Sequence, residues 1–192
     1  MALSVILGTL LWSAGVAQAT AQSLDVLLKR IAVTGAGEVP FEERKFIGAV
    51  TEPLVSRGYL RFEPPDRLIK KTEAPHRETA VVDKDSLRIL NADGVETASI
   101  GLWMDPDLGL VFDSLRAVLR GDGDSLRALF DTSLAGNADA WTLTLTPKQK
   151  PESSRIDRIV VTGDANRLLG FDIYETGGDR SFIRLLEAPP RP

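Results

Sequence analysis

From Gly58 onward, hydrophobic and polar residues alternate. Leu60 and Phe62 fall on one side, with Tyr59, Arg61 and Glu63 on the other, the two-residue period of a half-buried strand. Pro64-Pro65 lacks the N–H groups a ladder needs and forces a turn. A second strand follows over 67–72, Pro75 breaks it, and Thr79 to Val82 begins a third. None of these breaks is long enough to hold a crossover helix, so the three strands form an antiparallel meander. Upstream, 39–50 reads as an extended charged strand whose large apolar residues are Phe41 and Phe46. Downstream, Leu87 and Ile89 alternate with Arg88, Asn91-Ala92-Asp93-Gly94 signals a hairpin, and 95–102 returns, because Asp-Gly supplies the positive φ of a tight turn.

The period then changes. Leu24, Leu27, Leu28 and Ile31 are spaced as one face of a short helix beginning at Ser23, ended by Gly35 and Gly37. Asp105-Pro106-Asp107 starts a longer helix with a single stripe of Leu108, Val111, Phe112, Leu115, Val118 and Leu119. Asp113, Arg116 and Arg120 are assigned to its outer side, and Gly121 stops it. Asp124 or Ser125 caps a third helix carrying Leu126, Leu129 and Phe130. Strict alternation resumes at Trp141-Thr-Leu143-Thr-Leu145-Thr, followed by strands over 155–162, 168–175 and 180–186. So many strands cannot stay flat, because their twist curls the sheet. The predicted fold is α+β and mainly β: an incomplete antiparallel β-barrel, or half-barrel, covered by short helices around an apolar cavity.

Length and composition narrow the setting. The chain has 192 residues and a formal net charge of −4, which suits one domain with a sizeable core and no basic face for nucleic acid. Residues 1–19 carry no charge and end in Ala17-Gln18-Ala19, the apolar region and cleavage pattern of a secretory signal, although the usual basic start is missing. The domain is placed at 20–187, with a disordered proline-rich tail at 188–192. Without cysteine there are no disulfides, no thiolate chemistry and no acylated N-terminal Cys.

Little in the sequence points to catalysis. His76 is the single histidine and sits in a turn, and no G-x-S-x-G elbow accompanies it in the mature chain. The acid pairs Asp83/Asp85, Asp105/Asp107 and Asp122/Asp124 fit turns and caps, and Asp122-Gly-Asp124 reaches Ser133 where a calcium loop requires Glu. Gly35-Ala-Gly37 and Gly121-Asp-Gly123 lack the third glycine of a dinucleotide loop. The reading is a protein that is not an enzyme and holds no cofactor or metal.

The order G-x-L-x-F-x-x-P-x-x-L from Gly58, V-D-x-D-x-L from Val82, and W-x-L-x-L-x-P-K from Trp141 resembles the LolA-type periplasmic lipoprotein carriers, and within them the LolA-related branch. The resemblance implies a half-barrel with helical lids and a cavity for acyl chains. It further implies a periplasmic monomer that takes acylated cargo from an inner-membrane transporter to an outer-membrane acceptor. The sheet wall of the pocket is then Phe41, Leu60, Phe62, Leu87, Ile89 and Leu102, and the lid Val111, Phe112, Leu115 and Leu119. One position departs. Such carriers place an arginine directly before the meander proline to tie the lid down, and here that position is Pro64, which opens glycolipid or pigment-linked cargo as an alternative. Two other functions fit less well: a lipid-sensing envelope-stress protein, and a lipid hydrolase acting through His76.

Overall fold

The computed structural model describes residues 24–33, 36–137 and 139–187; the expected signal segment and C-terminal tail lie outside them. Eleven antiparallel strands form one open sheet among the described residues. In chain order they are β1 (Gly37–Phe46), β2 (Leu54–Glu63), β3 (Arg67–Ala74), β4 (Glu78–Asp83), β5 (Ser86–Asn91), β6 (Glu96–Gly101), β7 (Phe130–Gly136), β8 (Trp141–Pro147), β9 (Ile156–Asp164), β10 (Arg167–Glu175) and β11 (Arg180–Leu185). Helix α1 covers 24–31, α2 Pro106–Arg120 and α3 Gly123–Leu129.

The sheet order is β6-β5-β4-β3-β2-β1-β11-β10-β9-β8-β7. The chain therefore runs outward from β1 to one edge, β6, crosses on α2 and α3 to the opposite edge, β7, and returns strand by strand to close against β1. Neither edge pairs with the other, so the barrel stays a half-barrel, and the helical crossing spans its open side. This is the architecture expected from the alternating segments.

Local chemistry fixes the crossing. Asp105 caps α2 by accepting from the Leu108 amide at 3.1 Å, Pro106 follows it, and Gly121 ends the helix at φ 72, a left-handed turn that favours glycine. The cap of α3 is Asp122 rather than Asp124 or Ser125: its carboxylate accepts from the Ser125 amide at 2.9 Å and hydroxyl at 2.6 Å. Phe130 leaves the helix and starts β7 in ladder with Pro147, so the helical spacing of 126–130 ends one residue early. The first strand stops at Phe46 rather than continuing to residue 50.

Strand register sorts side chains into two faces. Gly37, Phe62, Leu68, Val82, Leu87 and Ile100 are successive partners and share the inner face. The next layer along the strands is Val39, Leu60, Lys70, Ala80, Ile89 and Ala98. The outer face carries charge, with Arg57 against Glu42 at 2.7 Å and Arg184 against Asp172. On the inner face the apolar side chains gather in two clusters. One joins α1, one flank of α2, α3 and the strands β7 to β10; the other joins β2 to β5, Leu102 and the opposite flank of α2.

Candidate functional site

The second cluster is the candidate site. Its buried members are Phe62, Leu68, Val82, Leu87 and Leu102, and around them Ala80, Ile89, Leu108, Phe112, Leu115 and Leu119 are only partly buried. Leu60 lies in the same inner layer and is also half-buried. On the edge strand Ile100, the register partner of Leu87, is 37 % exposed. Solvent thus reaches apolar residues on the inner face of β2 to β6, beside a helix flank that is itself incompletely covered.

Of the ten side chains assigned to the pocket, six belong to this cluster alone, Phe62, Leu87, Ile89, Leu102, Phe112 and Leu119, and Leu60 stands beside them in the inner layer. Leu115 touches both clusters, and Val111 packs against the other one. The stripe on α2 is therefore two stripes. It sits between two bodies, and Val111 and Val118 turn toward the strands at the C-terminal end of the chain. Phe41 is on the inner face and buried, yet it stands in neither cluster. It lies opposite Gly58, and the Lys70 ammonium sits over its ring at 5.3 Å. A Cβ at Gly58 would meet the Lys71 carbonyl oxygen at 1.9 Å, so this close approach of backbones requires glycine.

Beyond Phe41 the inner face turns polar. Glu43 accepts from Lys70, from the Ser181 hydroxyl at 2.5 Å and from the Ser56 hydroxyl at 3.2 Å. Burial pushes its carboxyl up, but the charge of Lys70 and these three hydrogen bonds outweigh burial and hold it below the ordinary glutamate value. Sequence reading passed over both residues, because they are 27 positions apart and meet only through the register of the meander.

Arg116 corrects another expectation. Helical spacing puts it on the outer side of α2, but it is buried. Its guanidinium donates to the Asp66 carbonyl at 3.0 Å and the Lys84 carbonyl at 2.7 Å, and pairs with Asp113 at 3.1 Å. Arg120 adds an ion pair to Asp66 at 2.8 Å. Two arginines of the helix thus grip the β2–β3 and β4–β5 turns, at the end of the sheet where Pro64 stands.

A separate surface groove of about 650 Å³ lies on the far side of the α2 N-terminus, between α3 and the β8–β9 loop. Leu110, Leu129, Pro151 and Arg155 are among its walls, and none of the ten assigned residues is. His76 is exposed in its turn.

An open antiparallel half-barrel whose helical crossing lies against an apolar inner face defines the class of protein. The chain belongs to the outer membrane lipoprotein carrier protein LolA-like family, whose family model matches residues 16–186. No curated protein matches the sequence significantly. Among solved structures, a LolA superfamily protein from Nitrosomonas europaea is 10 % identical over 90 % of this chain and 95 % of its own, with a TM-score of 0.45. A putative outer membrane lipoprotein-sorting protein domain from Vibrio parahaemolyticus is 9 % identical over 89 % of this chain and 92 % of its own, with a TM-score of 0.45. In the Pseudomonas aeruginosa MucA/MucB complex the match is 16 % identical over 88 % of this chain but 59 % of that one, with a TM-score of 0.44.

Proposed function

We propose that this protein is a periplasmic carrier that shields the acyl chains of a lipidated cargo, a lipoprotein or a glycolipid, between the inner and outer membranes. The observation that carries the reading is the half-covered apolar inner face of β2 to β6, in a chain of the LolA-like family. Five strands at a spacing of about 4.8 Å make a trough roughly 19 Å across, wide enough for an extended acyl tail to lie along it. A 16-carbon chain left in water costs about 12 kcal/mol at ~0.8 kcal/mol per CH₂, so it does not cross an aqueous gap unaided. In this reading residues 1–19 direct export. The protein acts as a monomer, receiving cargo from an inner-membrane transporter and releasing it to an outer-membrane acceptor. It binds rather than catalyses.

Carriage also demands release, and α2 is the part that moves. The tie that the family resemblance places before the meander proline is supplied here from the helix side, by Arg116 and Arg120. Native mass spectrometry of protein purified from the periplasm tests the reading. The parent carries an acyl lipid, and Ile89→Glu, which puts a charge on the half-buried wall, is folded and lipid-free. A folded parent that neither co-purifies with lipid nor binds an added acyl probe contradicts it.

A further inference from the structure

We infer that the Lys70–Glu43 cluster is a polar end to the trough and takes the carbonyl of the ester or amide that joins an acyl chain to its head group. The inference rests on the carrier reading above. Along the inner face the layers run from wholly apolar, Phe62 to Leu87, through Lys70 and its apolar partners Leu60 and Ala80, to Thr72 and Glu78. The face is therefore amphiphilic lengthwise, with its greasy end under α2 and its polar end away from it.

The cluster is built, not incidental. Glu43 is only 15 % exposed at its side chain and accepts from three groups on three other strands, β2, β3 and β11. Burying an ion pair on an apolar face gains little stability over apolar residues of the same size, so its presence there asks for a use. Glu43 fixes the Lys70 ammonium in place, packed over Phe41. An ammonium has three donors, and among the described residues Lys70 has one hydrogen bond to a protein acceptor while its side chain stays 32 % exposed. That leaves N–H groups for a further acceptor at a position on the inner side of β3, in register with Leu60 and Ala80. Because Glu43 already cancels the charge of Lys70, the site has no net attraction for an anion. It suits a neutral acceptor instead, and the acceptor nearest an acyl tail is the linking carbonyl.

Two lysophospholipids that differ only in that carbonyl provide the test: 1-palmitoyl-lysophosphatidylcholine and its 1-O-hexadecyl ether analogue. Titrated below their micelle concentrations, the parent binds the ester about two- to tenfold more tightly, the value of one added hydrogen bond. In Glu43→Gln/Lys70→Met the preference falls to about one while ether affinity is kept. Should the double variant not fold, Glu43→Leu/Lys70→Leu, which replaces the buried pair with apolar side chains and leaves no donor, gives the same loss of preference. Equal binding of ester and ether by the parent, or a preference that survives in the variants, overturns this inference and leaves the carrier reading standing. Failure of both lipids to bind the parent overturns the two together.

Discussion

Leu143, Leu145, Ile159 and Val161 on β8 and β9 have no solvent exposure, whereas on β2 to β5 Val82 retains 2 %, Phe62 5 %, Leu68 8 % and Leu87 9 %. Both sets point to the inner face of the same sheet, and the helices explain the difference. Leu24, Leu27, Leu28 and Ile31 of α1, Ala117 and Val118 of α2 and Leu126 of α3 all descend on the C-terminal strands. The N-terminal strands receive Leu108, Phe112, Leu115 and Leu119, each only partly buried. Close packing is the norm for protein interiors, and one half of this sheet meets it. The other half leaves apolar surface within reach of a ligand.

The contrast is broken or sharpened most strongly by truncation. Ile159→Ala, at a site without exposure, should lower stability by ~2–5 kcal/mol in urea unfolding. Ile89→Ala, on the half-buried wall, should cost well under half as much, since it opens onto space solvent already reaches. Equal costs would erase the distinction between the halves.

A smaller effect is expected at the helix itself. Arg116→Met removes the donors to the Asp66 and Lys84 carbonyls and should cost about 1–3 kcal/mol. Hydrogen exchange should accelerate in α2 and in the β2–β3 and β4–β5 turns, with β8 and β9 unaffected. Acceleration spread evenly over both halves would mean that α2 is not the looser cover.

The smallest effect is one of pH. The carboxyl of Glu43 is held low in the folded state, so its contribution is complete above the unfolded glutamate pKa of about 4.3. It disappears as pH falls through the lower native value. Glu43→Gln should therefore flatten the acid limb of the stability profile below about pH 4.3 and change little of its slope at neutral pH. An unchanged acid limb would show that Lys70 and the two serines do not stabilise the ionised form.

Most of the sheet was legible because its signals are local. Trp141 to Thr146 alternates without fault, Asp93-Gly94 makes its turn, and Asp105-Pro106 starts α2 as its cap chemistry requires. What sequence reading missed depends on partners distant in the chain. The apolar stripe of α2 is wide enough to face two bodies, and nothing local says that Val111 turns to one and Phe112 to the other. Arg116 looks solvent-facing by periodicity, yet its long side chain reaches two turns and buries itself between them. Phe130 continues a helical spacing, but its ladder to Pro147 prevails. Lys70 and Glu43 read as ordinary strand charges until the meander register brings them together.

The central claim is that acyl chains lie on the inner face of the N-terminal half and nowhere in the C-terminal core. Methyl-resolved NMR of the Leu, Ile and Val side chains during titration with 1-palmitoyl-lysophosphatidylcholine tests it most directly. Leu60, Leu87, Ile89 and Leu119 should shift with ligand while Leu143, Leu145, Ile159 and Val161 stay in place. Shifts confined to Leu110 and Leu129 in the surface groove, or no shifts in a folded protein, would contradict it.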